Sequence, residues 1–481
     1  LLKLIGRVAD GSTETSARLI LLKDVERSLT AEELVLIKNG GEDNITNEIL
    51  GVLREGLGKN EFLSLSSYKP DVAYMKYGGE PSGAREIYSF SIRPIGTVSE
   101  NSGVEPNRAI IQPRSPVYLL EDTDKPMEWL AKGKDCIWIE AYLDGHEKWK
   151  IPVDRTYIPY HVAVYGSTGS GKSWLTRHIL VPLFLKSGYR VLILDWSGTD
   201  YAPFYENRRI GIAEIALDEE AVMSYIRDMT NSFARNNSLD DAFDEAIVGW
   251  NSTISETRDE QTLYDQLFDK VEMYIEQNID RKDWKQNALR SLNRVRRKIR
   301  PSDLTPIMGT KDVEEIVEKI SDVLVVDMSG VTSEAKLGFF LSLGRYVYNE
   351  MEKGKEMNIS LVIDEAPQYA PWDPRGIQNE ATEMIKNIAA LGRKRKLCLT
   401  LIAQGIKGDI GINAAVRRNL NTQFFGRIHP LDAGGEGGAS EWLSPYGITP
   451  DTLLQLKPGK FYFAGAMNPS PIPFLITYRP E

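Results

Sequence analysis

The chain has 481 residues, 42% of them hydrophobic and 26% charged, with a formal net charge of −10. That composition fits a globular protein of roughly two to four domains. No run of about 18 apolar residues occurs, which predicts that nothing spans a bilayer. The opening "LLKLIGRVADGSTE" is too short and too quickly polar for a signal peptide. Cys136 and Cys398 stand alone and the four histidines are scattered. This argues against a disulfide framework or a zinc cage and predicts a reducing, cytoplasmic setting. The acidic balance argues against a protein that coats its outer surface in DNA. It still allows one whose basic residues face an enclosed channel.

Residues 1 to 150 read as β-rich. Alternating runs such as "YSFSIRPIGTV" and "CIWIEAYL" are separated by the turn clusters "NGGED", "YGGEPSG" and "EPN". The spacing predicts a small barrel or sandwich, with "TNEILGVLREGLG" as a helix packed against it. From His161 onward the pattern changes. "HVAVYG", "RVLILDW", "DVLVVDMSG", "ISLVIDEA" and "LCLTLIAQ" are short apolar runs separated by helical stretches. Such alternation predicts an α/β nucleotide-binding core with a parallel sheet covered on both faces. Within it, residues 215–320 read as a helical insertion, leaving 151–214 and 321–481 as the core. The insertion begins acidic and ends with nine lysines and arginines in residues 281–300. A solvated helix face explains those charges as well as a surface for nucleic acid or a neighbouring subunit does.

Gly166-Ser167-Thr168-Gly169-Ser170-Gly171-Lys172-Ser173 matches G-x-x-x-x-G-K-[ST] at every fixed position. It sits between an apolar strand and a helical stretch, the context this phosphate-binding loop requires. Its backbone amides and the following helix N-terminus would face phosphates of ATP. Lys172 would neutralise the β- and γ-phosphates, and the Ser173 hydroxyl would ligate Mg²⁺. Trp174 follows directly and is a candidate neighbour of the base. The second acidic site is expected at Asp364, as a Mg²⁺ ligand, and Glu365, to polarise the attacking water. Asp327 ranks below Asp364 because no second acid follows it. Asp195 ends the strand after the loop's helix, where a place near the metal and a turn cap are equally good accounts. Gln404 closes the next strand as a sensor of the γ-phosphate. Arg393-Lys394-Arg395-Lys396 is a surface cluster or, in a ring, the source of an arginine acting on the neighbouring subunit's nucleotide. Arg417 and Arg418 are further candidates.

Together, "HVAVYGSTGSGKS", "LILDWSGTDY", "VLVVDMSG", "LVIDEAPQY", "ALGRKRK", "LIAQG" and "NLNTQFFGRI" resemble the HerA group of DNA-translocating ATPases, relatives of FtsK and the conjugative coupling ATPases. The resemblance covers nearly the whole chain, "LKPGKFYFAGAMNPSPIPFLI" resembling the family's final strands. It implies a RecA-like core, an N-terminal HAS barrel and a homohexamer that threads double-stranded DNA as a translocase or helicase. It also implies a partner: a NurA-like nuclease in DNA end resection and repair, or another effector enzyme in defence. By matching, Lys172, Ser173, Asp364, Glu365 and Gln404 take the family's loop, metal, water-activating and sensor roles, and Arg393 falls in the element holding the trans arginine. Two departures stand out. The family's Asp-Pro-His-Gly-Glu-Tyr is here Asp195-Trp196-Ser197-Gly198-Thr199-Asp200-Tyr201, and Tyr160 stands where an arginine often precedes His161. A ring scaffold that uses ATP to assemble an effector, without moving DNA, is the alternative reading.

Overall fold

The computed structural model describes residues 2–40, 45–64, 70–80, 86–99, 101–230, 237–257 and 259–478. Seven strands begin the chain: β1 (Lys3–Val8), β2 (Ala17–Leu21), β3 (Leu34–Asn39), β4 (Asn47–Asn60), β5 (Glu86–Ser99), β6 (Gly103–Glu105) and β7 (Pro116–Leu119). They hydrogen-bond in the order β2-β1-β7-β3-β4-β5-β6, and β2 also pairs with β5. That last pairing closes a six-stranded barrel, with β6 as an appendage, and closure removes the edges an open sheet would expose. Its interior holds Ile5, Leu19, Val35, Ile37, Ile49, Leu53, Ile92 and Val117, all buried.

The segment expected to be helical is instead β4, a 14-residue strand. Its leucines do recur at helical spacing, but Gly51, Gly56 and Gly58 each disfavour helix by about 1 kcal/mol. Pairing on both sides then decides the conformation, with irregularities in the β4–β5 register at Leu50/Gly51 and Arg54/Leu57. A methyl group on Gly51 would lie 2.6 Å from the Ile92 side chain, and one on Gly56 2.8 Å from the Phe90 ring. The glycines permit close strand packing.

The chain divides into two compact units. The first contains Leu1–Thr156, Gly169–Gly171 and Thr422–Glu481; the second contains Tyr157–Thr168 and Lys172–Asn421. Besides the barrel, the first unit holds β8 (Cys136–Leu143) and β9 (Lys150–Asp154). In the second unit the strands are β10 (Val162–Tyr165), β11 (Arg190–Asp195), β12 (Arg209–Gly211), β13 (Val323–Asp327), β14 (Ile359–Ile363) and β15 (Leu397–Ala403). The chain then returns to the first unit with β16 (Thr422–Phe425), β17 (Lys460–Gly465) and β18 (Phe474–Thr477). These last three pair antiparallel in series, and β18 continues onto β8 and β9.

One buried charge knits the first unit together. Arg54 donates to the Tyr446 carbonyl at 2.8 Å, the Pro473 carbonyl at 2.6 Å and Glu32 Oε2 at 3.0 Å. Tyr462 donates to the other Glu32 oxygen at 2.9 Å. Burial raises the Glu32 pKa, and the Arg54 charge opposes that rise.

In the second unit, β12, β13, β11, β14, β15 and β10 lie side by side in that order, every pair parallel. β10, β14 and β15 are buried at every residue, as a sheet covered on both faces requires. Because the strands are parallel, their carboxyl ends share one edge, where loops meet to form sites. Tyr165 is in register with Ala403, Ile363 with Leu401, and Asp195 with Asp327. Between β12 and β13 run helices Glu219–Thr230, Asn237–Ile247, Trp250–Glu256, Glu260–Asn278, Lys282–Arg296 and Val313–Glu318. Among the described residues no helix is long and apolar enough to cross a membrane.

Candidate active site

The site begins where β10 ends. Gly169 and Gly171 have φ of +76° and +101°, left-handed values that glycine adopts at little cost. The Gly171 carbonyl accepts a hydrogen bond from the Tyr478 hydroxyl at 2.6 Å. Helical structure then begins at Lys172 and runs through a π-turn, Thr176–Leu180, into Val181–Lys186. Lys172 Nζ donates to the Gly166 carbonyl at 2.8 Å and to the Ser167 carbonyl at 3.4 Å. Burial lowers its pKa, and Glu365, Asp364 and Asp200 push it back up.

Around this lysine the strand ends place the acids. Asp364 follows β14 and is buried; its Oδ2 has no hydrogen-bond partner. Burial first, then the charges of Glu365, Asp200 and Asp195, raise its pKa well above the ordinary carboxylate range. Glu365 has φ +48°, a strained conformation for a residue with a side chain. Its Oε1 accepts from Gln404 Nε2 at 2.6 Å, and Gln404 Oε1 accepts from the Thr168 hydroxyl at 3.2 Å. A continuous chain of hydrogen bonds therefore runs from the phosphate-type loop through Gln404 to Glu365.

The two aspartates of the second strand's loop divide their work, and Asp195 takes the turn-cap role, one of the two accounts open for it. Asp195 is fully buried, and its carboxylate accepts from the Gly198, Tyr201 and Ala202 amides and the Ser197 hydroxyl. It is a turn cap. Gly198, at φ +72°, fits only because it lacks a Cβ, which would lie 2.4 Å from Asp327 Oδ1. Asp327 itself accepts from the Ser329 amide at 2.9 Å. The acid that meets the loop's serine is Asp200, whose Oδ1 accepts from Ser173 Oγ at 2.8 Å. Sequence reasoning passed over Asp200. The signal was present: it directly precedes Tyr201, as glutamate precedes tyrosine in Asp-Pro-His-Gly-Glu-Tyr.

Most of the remaining candidates engage other partners. Trp174 stacks on His178 with ring centroids 4.2 Å apart, and the Ser170 hydroxyl is buried without a hydrogen-bond partner. Arg393 follows helix Ile377–Gly392, is exposed, and lies over the Tyr160 ring at 5.1 Å. Arg395 reaches the Gly354 carbonyl at 3.4 Å. Arg417 is buried beside Trp372, 5.1 Å from its ring centroid, whereas Arg418 is exposed.

His161, just before β10, also emerges as a fastener. Its Nδ1 accepts from the Leu399 amide at 3.0 Å, which leaves Nε2–H to donate to the Ala389 carbonyl at 2.8 Å. Accepting at Nδ1 while donating from Nε2 requires the neutral ring. Burial lowers its pKa to about 4, with the nearby Arg393 charge adding to the effect.

The donors at the loop suit a hard cation: one hydroxyl and two carboxylates, with an unpartnered buried oxygen on Asp364. Residues 142–343, which include the loop and the helices after β12, match the family model for Helicase HerA, central domain. That segment is similar to the HerA central domain. Solved structures similar to this chain include VirB4 of Thermoanaerobacter pseudethanolicus, at 15% identity and TM-score 0.49, covering 73% of this chain and 98% of VirB4. The bacterial conjugative coupling protein TrwB is similar at 15% identity and TM-score 0.44, covering 67% of this chain and 86% of TrwB. The genome packaging NTPase B204 of Sulfolobus turreted icosahedral virus 2 has 13% identity and TM-score 0.33, covering 67% and 97%. No curated protein matches the chain. The matched segment carries, at Gly166–Ser173, the phosphate-binding loop of a P-loop NTPase.

Proposed function

We propose that this chain is an ATP-driven motor that moves double-stranded DNA through a ring of identical subunits, a homohexamer. The observation that carries this reading is the convergence of Lys172, Ser173, Asp200 and Asp364 with the Thr168–Gln404–Glu365 chain, in a core matched by the HerA model. In this reading 151–214 and 321–481 form the ATPase core, 215–320 is its insertion, and the N-terminal barrel caps the ring.

Ser173 and Asp364, with Asp200 beside Ser173, would hold Mg²⁺, which when bound supplies neutralisation of phosphate charge. The loop amides of Gly166–Ser173 cradle the ATP phosphates, and Lys172 turns from the Gly166 carbonyl toward them. Glu365 orients the attacking water and takes up its proton, while Gln404 fixes the Glu365 carboxylate. Exposure favours Arg393 as the group that crosses to a neighbouring subunit, with Arg418 next. Arg417, buried, and Arg395, bonded to Gly354, are held within their own subunit. A NurA-like nuclease or another effector enzyme is the proposed partner of the ring.

Lys172→Ala is expected to reduce ATP hydrolysis by about 10³-fold or more while leaving the fold intact, by phosphate release and circular dichroism. Arg393→Ala and Glu365→Ala subunits, each inactive alone, should recover hydrolysis when mixed. Full activity of Arg393→Ala alone would remove that residue from the mechanism. Displacement of a triplex-forming strand from duplex DNA, dependent on ATP, tests movement itself. Hydrolysis with no displacement would favour the ring scaffold.

A further inference from the structure

Helix Lys282–Arg296 buries Ala288, Leu292 and Val295. Positions 290, 294 and 297 project from the opposite side at 100° per residue. All three are exposed arginines. The facing helix Glu260–Asn278 supplies acids, but Asp265 and Glu272 pair with Arg296 on the flank, at 3.8 and 4.0 Å. Among the described residues, no ion pair engages Arg290, Arg294 or Arg297. Residues 284–302 contain seven cations and no aspartate or glutamate, in a chain whose net charge is −10.

We infer that Arg290, Arg294 and Arg297 form a docking row for the phosphate backbone of duplex DNA. This inference rests on the DNA-motor reading above and adds a surface to it. The row rises about 10 Å along the helix. One DNA strand presents several phosphates over such a length, so the three arginines can reach about two to three of them. Guanidinium forks suit phosphate oxygens. The neighbouring outward positions, Gln286, Asn287 and Asn293, are exposed and polar. A protein partner would need an apolar centre to this face, and it has none; a polyanion needs only the charges. The contact is sequence-independent because phosphates carry no base identity.

The test compares the full chain with its Arg290→Ala/Arg294→Ala/Arg297→Ala variant, using fluorescence anisotropy on a mixed-sequence duplex across a salt series. The slope of log affinity against log salt should shrink by about 2 to 3, since each lost phosphate contact removes about 0.9. ATP hydrolysis without DNA should be unchanged, and the triple Arg→Lys variant should keep the slope. An unaltered slope and affinity in the alanine variant would overturn the inference. So would unaltered DNA binding with a changed particle mass in sedimentation, which would make the row a contact between protein subunits. If the parent chain fails to bind duplex DNA at all, the motor reading falls first and takes this surface with it.

Discussion

Two buried charged groups, one in each unit, show how differently a fold can treat ionisable side chains. In the first unit, the terminal nitrogens of Arg54 meet two carbonyls and a carboxylate. In the second, Asp364 is buried beside Glu365, Asp200 and Asp195, with one oxygen unpartnered. The first arrangement uses charge to join distant segments, and removing one member leaves the other buried alone. The second concentrates like charge that an arriving cation would relieve. Pairing marks structure; unrelieved repulsion marks a site.

Breaking the paired group should cost most. Arg54→Met leaves Glu32 without its countercharge and is expected to destabilise the first unit by about 3 kcal/mol or more. The urea midpoint of that unit's transition reads this directly, and the double variant with Glu32→Leu should recover part of the loss. An unchanged midpoint would show that the Arg54 contacts contribute little.

An intermediate effect is expected at His161, which is buried in its neutral form. Its folded pKa of about 4 lies below its ordinary value of 6.5. Between those values the unfolded chain binds the extra proton and the folded chain does not. Stability is therefore full above about pH 6.5 and declines as pH falls toward 4, by up to about 3 kcal/mol. A His161→Gln variant should lose that part of the slope in denaturation curves measured from pH 4 to 7. A slope identical to the parent's would assign the dependence to other groups.

Relieving the repulsion should have the smallest effect on stability, and in the opposite direction. Asp364→Asn is expected to raise the melting temperature of the nucleotide-free protein, by a stabilisation of about 1 kcal/mol. The same change should suppress hydrolysis. A lowered melting temperature would mean that the carboxylate supports the fold rather than straining it.

The same division explains what could be read from the sequence. Strands β10, β11, β13, β14 and β15 were legible because a sheet covered on both faces writes each strand as an unbroken apolar run. The loop Gly166–Ser173 and the pair Asp364-Glu365 were legible because their chemistry lies in consecutive residues. Arg54 was not, since its partners Tyr446 and Pro473 lie 392 and 419 residues away. Strand β4 was misread because leucine spacing carried a helical period, while the opposing information lay in its neighbours on β3 and β5. Asp195 and Asp200 share one loop, and only coordinates show that the amides of 198, 201 and 202 claim the former.

Lys172 is already engaged by the carbonyls of Gly166 and Ser167. A phosphate that recruits its ammonium must detach it from those oxygens, so the contact is an exchange of acceptors and not a simple addition. Nucleotide affinity then reports the difference between two bonded arrangements of one side chain. By the same logic, an isosteric neutral replacement would slacken the curl of residues 166–171 even where no triphosphate takes part.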